Sequence, residues 1–406
     1  MKSFRTWFTV TSLASAGVLT AIALMANSGK GAGDNPTAPS PAGHQAHPQA
    51  PAITHRIMEA YPDELQASIE LRNRRVASMT ATAEGTPLES VFQFTLKWPQ
   101  KKVLKVAFLD GDSNLHKAVA QAAATWSQFC NIGFDFGLDQ ATGNYRRWTT
   151  QDQQYAADIR ISFDLGGYWS LVGTDSINPL IGQPTSPDGG RPNQRSMNFG
   201  GFKAGLPADY AGTVMHEFGH ALGFQHEHQH PTEGCDQDFR WNDDPGYQQT
   251  QDEFGQFIPD DQGRRPGIYT VLGGPPNKWP RWKVDFNLRQ LQDSHAYHLN
   301  PFDRLSIMKY FFEAWMFNSG AASHCFSAGE NVVLSEGDKT AVWQEYPTNR
   351  APSHPPGQES VISAATLSSQ IAQQETKRKK VLDVLLKVKG IPKEEKNHYQ
   401  SLRGHD

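Results

Sequence analysis

The stretch HEFGHALGFQH, residues 216–226, decides the fold and has the spacing H-E-x-x-H-x-x-G-x-x-H. His216 and His220 are four residues apart, so on a helix they share one face and can bind the same zinc ion. Glu217 follows the first ligand and can reach a water on that ion as a general base. The spacing therefore predicts a helix that carries two metal ligands and a base.

The second half of this stretch predicts where the helix ends. Gly223 stands three residues after His220 and tolerates the left-handed conformation in which helices commonly end. A turn there lets His226 approach the same ion from another direction. Three protein ligands leave a position for water, which is typical of a catalytic zinc site rather than a closed structural one. We therefore expect one zinc ion, Zn2+, as cofactor.

The chain before the motif alternates strand and helix patterns. Residues 113–129 place apolar side chains at helical spacing, with Ser113 or Asn114 as the N-cap. In residues 157–163, Ile159, Ile161 and Phe163 alternate as in a half-buried strand. The other predicted strands are 101–110, 132–137, 168–174 and 195–201. Strands interleaved with helices predict an α/β (α+β) domain.

Together these motifs resemble the metzincin metalloproteases. SIMKY at 306–310 fits the Met-turn of that family, and with HEH at 226–228 it is similar to the astacin branch in particular. The resemblance covers roughly residues 101–347. It implies a metzincin zinc-protease fold, with a twisted mixed sheet, an active-site helix and a mostly irregular or helical C-terminal subdomain. It also places Met308 beneath the zinc ligands as an apolar floor.

The resemblance implies further roles for single residues. In astacins the Tyr two residues after the Met can bind zinc or stabilise the tetrahedral intermediate, and Tyr310 occupies that place; a merely packed tyrosine is the alternative. Metzincins bind extended substrates along an edge strand, and Tyr168, Trp169, Ser170 and Leu171 could form it, although a core strand has the same pattern. Glu217 would be the general base.

Several features depart from the astacin pattern. Astacins usually have four cysteines in two bridges, whereas this chain has three. Cys235 and Cys325 could pair in an oxidising compartment, and Cys130 is expected to be a buried free thiol. FLDGD at 108–112 resembles the astacin inhibitory F-x-G-D motif with one extra residue, but it lies between a predicted strand and helix, so we expect an ordinary turn.

The residues after the third histidine also differ from astacins. Gln229, His230 and Pro231 replace the usual basic and acidic residues. His228 and His230 exceed the ligand count, so we expect them to be exposed loop residues. Astacins use the Glu after the third ligand to bind the new N-terminus after activation; Glu227 is present, and the sequence leaves open whether such processing occurs.

The ends of the chain predict export and a single catalytic domain. Residues 1–26 have the pattern of a signal peptide, with an uncleaved membrane anchor as the alternative. Residues 27–100 are a Pro/Ala-rich linker and possible pro-segment, with a helical stretch near 64–75. Residues 101–347 form the metzincin domain, and 348–406 a linker and charged tail. In that tail, 377–388 predict a short amphipathic helix packed loosely on the domain.

Composition limits the partners. The formal net charge of −4 argues against a general nucleic-acid binder, which normally has a basic excess. We therefore expect a secreted or cell-envelope monomer, a zinc endopeptidase that acts on proteins or peptides, with membrane contact only if the N-terminal segment is uncleaved. Two alternatives remain open, a matrixin-like protease and a non-enzymatic zinc-stabilised binding or adhesion protein.

Overall fold

The computed structural model describes residues 58–80, 95–291, 301–352 and 360–404. The predicted signal or anchor, residues 1–26, lies outside them. Among the described residues, no helix has both the length and the apolar composition needed to cross a bilayer. The helices are α1 (Asp63–Thr80), α2 (Ser113–Ala123), α3 (Tyr210–Ala221), α4 (Ile268–Gly273), α5 (Arg281–Leu288), α6 (Glu336–Glu345), α7 (Ala364–Lys387) and α8 (Lys393–Arg403).

A five-stranded mixed sheet lies at the centre of the fold. Its order is β2-β1-β3-β5-β4; β4 alone runs antiparallel, against β5. The strands predicted from sequence are all present, and β4 is at an edge, so the predicted fold class is confirmed. The strands of the sheet are β1 (Val103–Phe108), β2 (Gly133–Asp135), β3 (Ile159–Ser162), β4 (Tyr168–Ser170) and β5 (Met197–Phe199), and the short pairs are β6 (Thr250–Gln251) with β7 (Phe257–Ile258) and β8 (Arg350–Ala351) with β9 (Ser360–Val361).

Helices α2 and α3 pack together over the sheet and bury its apolar side chains. The Trp126 indole, completely buried just after α2, donates a hydrogen bond to the Met215 carbonyl of α3 (2.8 Å). This bond ties the connection after α2 to the turn of α3 that carries the zinc motif. The core beneath the motif is therefore a sheet with two helices, which gives the site a rigid base.

Two local predictions about these elements were wrong. The N-cap of α2 is Asp112, whose side chain accepts from the Leu115 amide, rather than Ser113 or Asn114. Strand β3 is buried on both faces, as is usual for strands inside a parallel sheet, so Arg160 is as buried as its apolar neighbours. Its guanidinium donates to the backbone carbonyls of residues 157, 158, 176, 189 and 194. These hydrogen bonds give the buried N–H groups their partners.

The chain after the zinc motif forms a second apolar cluster around a disulfide. Cys235 and Cys325 are bonded, as predicted, and Cys130 is a buried free thiol. The cluster includes Phe239, Phe312 and Phe317, and it also contains Val284 and Leu288 of α5. Residues 231–291 contain two short helices, α4 and α5, and α5 lies beside the candidate site.

Helix α6 begins with a capping box formed by Ser335 and Asp338. The tail differs from its prediction, because α7 spans 24 residues rather than a short segment. Its Val381, Leu382 and Leu385 are almost completely buried. The tail therefore packs tightly, since its apolar face finds a partner that the pattern of 377–388 alone does not reveal.

Candidate metal centre

Helix α3 presents His216 and His220 on the same face, as the four-residue spacing predicts. The helix ends at Ala221, and Gly223 has a φ of 106°, a conformation that glycine adopts without strain. The Gly223 amide donates to the His220 carbonyl (2.8 Å) and the Phe224 amide to the Gly219 carbonyl (3.1 Å), which close the helix end. The turn brings His226 back so that its Nε2 lies 3.1 Å from the His220 Nε2.

Each of the three imidazoles is oriented through its Nδ1. The Nδ1 of His216 lies 2.6 Å from the Ile307 carbonyl, that of His220 lies 2.7 Å from the Phe224 carbonyl, and that of His226 lies 3.2 Å from the Gln229 Oε1. Because carbonyl oxygens only accept, Nδ1 is the donor and Nε2 of a neutral ring carries the lone pair. Such outer contacts are typical of metal-binding histidines.

Residues 58–80, which we call the N-terminal segment, contribute a carboxylate that contacts the three Nε2 atoms. Glu59 lies 2.6 Å from the His216 Nε2, 3.2 Å from the His220 Nε2 and 3.0 Å from the His226 Nε2. The four side chains form a group whose ligand atoms all lie within 4.8 Å of one another and could hold a metal ion. No sequence motif marks Glu59, which is one of several acids in residues 59–70.

The chemistry of this donor set fits a cation. Burial would raise the pKa of Glu59, but the attraction of the three imidazoles holds it well below its usual range, so the carboxylate is ionised. Burial lowers the pKa of His226 to about 4, which keeps that ring neutral at physiological pH. The ionised carboxylate and the Nε2 lone pair of the neutral His226 ring would both attract a cation placed between them. Three histidines and one carboxylate are ordinary ligands of zinc.

Glu217 lies beside the cluster and has both carboxylate oxygens buried. Among the residues that the structure describes, neither oxygen has a hydrogen-bond partner. Burial, together with the nearby Glu59 carboxylate, raises the pKa of Glu217 well above its usual value. A buried carboxyl without a partner is costly in an ordinary core, so its position next to a cation-binding cluster points to a functional role.

The Met-turn residues lie where the resemblance places them. The Met308 side chain is buried under α3, against the Cα of Gly219, and its carbonyl accepts from the Glu227 amide (3.0 Å). The Tyr310 ring is 4.4 Å from the His226 ring between centroids. Its hydroxyl donates to the backbone carbonyl of Glu59 (3.0 Å). Tyr310 thus already donates to a carbonyl oxygen beside the cluster.

The expectation that His228 and His230 are exposed was wrong. His228 is completely buried, its ring is 4.4 Å from the Tyr310 ring and 5.0 Å from the His226 ring, and its Nε2 lies 2.8 Å from the Asn287 carbonyl. Burial lowers its pKa well below the usual value, so it is neutral. His228 therefore packs behind the third ligand and positions Tyr310.

Glu227 and the FLDGD stretch at 108–112 are the two other acidic features that the resemblance to astacins singles out. Glu227 is half-buried, its Oε1 accepts from the Asp303 amide (2.8 Å), and burial raises its pKa to about 8. FLDGD is a turn between β1 and α2, as expected, in which Asp112 caps α2. Glu59, not a residue of FLDGD, is the carboxylate at the cluster.

The N-terminal segment also covers the predicted substrate-binding edge. The Tyr61 hydroxyl donates to the Ser170 carbonyl of β4 (2.8 Å), and its ring lies 6.2 Å from the Trp169 ring. Trp169 and Leu171 are buried against α1. Tyr168 and Ser170 belong to the edge strand itself, as predicted. The edge of the sheet is therefore covered by residues of the chain's own N-terminal segment.

Comparison with known proteins gives structural neighbours. No protein-family model and no curated protein matches the chain. A structure of myroilysin is 29% identical and covers 63% of this chain and 97% of its own, with a TM-score of 0.43. High choriolytic enzyme 1, a hatching-enzyme zinc protease from the medaka fish Oryzias latipes, is 17% identical and covers 61% of this chain and 93% of its own, with a TM-score of 0.33.

The chain resembles the astacin-like zinc proteases. Because each TM-score is below 0.5, the function is inferred from the motif and from the geometry of the site rather than from these neighbours.

Proposed function

We propose that the protein is an exported zinc endopeptidase that cleaves peptide bonds in proteins or peptides. The observation that carries this proposal is the convergence of three Nε2 atoms and an ionised carboxylate beside the buried, unpartnered Glu217. The disulfide between Cys235 and Cys325 supports an oxidising, extracytoplasmic location.

His216, His220 and His226 would hold the zinc ion through Nε2. When bound, zinc lowers the pKa of a water, polarises the scissile carbonyl and favours the ionised form of Glu217. Glu217 then accepts the proton of the attacking water and passes it to the leaving nitrogen. Tyr310 donates to the oxyanion as it donates to the Glu59 carbonyl in the closed site.

The N-terminal segment keeps this site closed in our proposal. Glu59 lies at the three Nε2 atoms, where substrate and water would have to enter, and Tyr61 contacts the Ser170 carbonyl at the edge strand. Residues 168–171 would bind extended substrates once that segment has moved. Because the ligands are complete without Glu59, displacement of the segment leaves a three-histidine site with an open position.

The two alternatives fit less well. Tyr310 beside the third ligand favours an astacin-like over a matrixin-like site. Among the described residues, the buried Glu217 carboxylate has no hydrogen-bond partner, which lowers stability. A non-enzymatic zinc-binding protein would gain no function from that cost.

The test compares Glu59→Ala with Glu59→Ala/Glu217→Gln on an unfolded protein substrate, with bound zinc measured in both. We expect one zinc per chain in each variant, cleavage by the first that a chelator abolishes, and a rate lower by about 10² to 10⁴ in the second. If the first variant holds zinc and cuts nothing, even after cleavage at a protease site engineered between Thr80 and Thr95, the proposal is wrong. Equal cutting by both variants would contradict the role of Glu217.

A further inference from the structure

The C-terminal helices α7 and α8 form a hairpin with its own apolar cluster. Val381, Leu382 and Leu385 of α7 pack against Tyr399 and Leu402 of α8. The Arg378 guanidinium also donates to the Leu402 carbonyl. We refer to residues 364–403 as the C-terminal hairpin.

The face of this hairpin is completed by helix α1 of the N-terminal segment. Val76 of α1 has no exposed surface and belongs to the same apolar cluster. Next to it, Arg75 pairs with the Glu395 carboxylate (3.1 Å), and the Tyr399 hydroxyl donates to that carboxylate (2.9 Å). Glu395 is itself completely buried, so Arg75 balances its charge across the contact and Tyr399 of the same helix donates a hydrogen bond to it.

Toward its N-terminus, the same face of α1 rests on the sheet side of the candidate site. Leu65 and Ile69 pack against Trp169, Leu171 and Ile181. Arg72 forms a two-bond pair with Asp175, and both side chains are almost completely buried. The buried face of α1 therefore contacts the sheet side of the candidate site along the first half of the helix and the C-terminal hairpin near its end.

The same helix connects the hairpin mechanically to the metal centre. Glu59 precedes the first residue of α1 by four positions, and Arg75 and Val76 lie near its other end. A cavity of about 140 Å³ is lined by Glu59, His220 and His226 and also by Arg72 and Asp175. A helix transmits displacement along its axis because its backbone is hydrogen-bonded throughout. Movement of α1 away from Asp175 would thus withdraw Glu59.

We propose that the C-terminal hairpin is a clasp that holds α1 against the domain and thereby keeps Glu59 in the metal centre. The proposal rests on the proposed function, because only a working metal centre makes the position of Glu59 a control of activity. The partner of the hairpin face is a segment of the same chain, identified by the buried Val76 and the Arg75–Glu395 pair. Loss of the contact opens the site without any change in the metal ligands.

The test uses the full chain with Val76→Asp, which places a charge inside the cluster. The matched control is Leu71→Asp on the same helix, where the side chain is 52% exposed. Hydrogen exchange of α1 amides measures opening of the helix, and hydrolysis of a quenched peptide by zinc-loaded protein measures opening of the site. We expect at least tenfold faster exchange and tenfold higher activity for Val76→Asp, and wild-type behaviour for Leu71→Asp. Leu385→Ala, a milder change on the hairpin side, should shift both quantities in the same direction.

The outcomes separate the clasp from the proposed function. If α1 exchanges at the same rate in Val76→Asp and Leu71→Asp, or if α1 opens while only Glu59→Ala gains activity, the clasp is overturned. Faster exchange of α1 with no activity in any variant, Glu59→Ala included, would support the contact between hairpin and helix and overturn the proposed function.

Discussion

Replacing Glu59 with Gln tests the closed site most directly, because it removes one charge and keeps the shape of the side chain. In the structure the carboxylate lies 2.6 to 3.2 Å from three imidazole nitrogens. A hydrogen bond to a charged group contributes about 1.5–3 kcal/mol, whereas a neutral one contributes about 1 kcal/mol. We therefore expect the closed state to lose about 0.5–2 kcal/mol relative to the open state.

That difference has a measurable effect on rate. Each 1.4 kcal/mol is a factor of ten in an equilibrium constant, so the open fraction should rise roughly 2- to 30-fold while it remains small. The initial rate of peptide hydrolysis by zinc-loaded protein should rise by the same factor. Glu64→Gln is the matched control, since Glu64 is exposed in the first turn of α1. A Glu59→Gln protein that holds zinc and is no faster than Glu64→Gln would refute the reasoning.

Three further predictions concern stability. Gly219→Ala should lower the free energy of unfolding by about 1–3 kcal/mol in urea, because the new methyl group would overlap the Met308 sulfur. Alanine favours helices more than glycine does, so an unchanged urea midpoint would contradict this packing. Burial and the nearby Arg72 lower the pKa of His398 to about 3, whereas the unfolded value is about 6.5. The neutral ring therefore stabilises the folded protein above pH 6.5, and this contribution is lost as the pH falls toward 3. Between pH 6.5 and 5, wild type should therefore lose about 2 kcal/mol more than His398→Gln, and parallel pH curves would exclude the effect. The double variant Cys235→Ser/Cys325→Ser opens a loop between residues 90 apart and should cost about 4 kcal/mol in the same assay, with Cys130→Ser as the control.

The metal centre was predictable from sequence because its geometry follows from local rules. Residues four apart on a helix share a face, and a glycine after the second histidine ends that helix, so His216, His220 and His226 needed no knowledge of the rest of the chain. The strands were equally local, since runs of apolar and β-branched residues predicted their positions. The sequence allows Cys235 and Cys325 to pair but does not fix the connectivity of the three cysteines, and the structure shows this pair bonded.

The contacts that the sequence did not reveal join segments that are distant along the chain. Glu59 is one carboxylate among several, and only the folded chain places it at the histidines, 157 residues away from His216. The sequence predicts an exposed loop residue at position 228. In the structure His228 is buried by contacts with Asn287 and Tyr310, which are distant along the chain. The tight packing of the tail depends on Val76, which no pattern in residues 364–403 could indicate.

The pair between Arg75 and Glu395 joins residues 320 positions apart, so its two halves leave the ribosome at very different times. At the usual rate of roughly 5–20 residues per second, about 16 to 64 seconds separate their synthesis. The zinc motif is complete well before the residues of the hairpin exist. A nascent chain therefore passes through a period in which the histidines are already made and the contact that restrains the first helix is not. The order of synthesis therefore makes this contact available only after the zinc motif has been made.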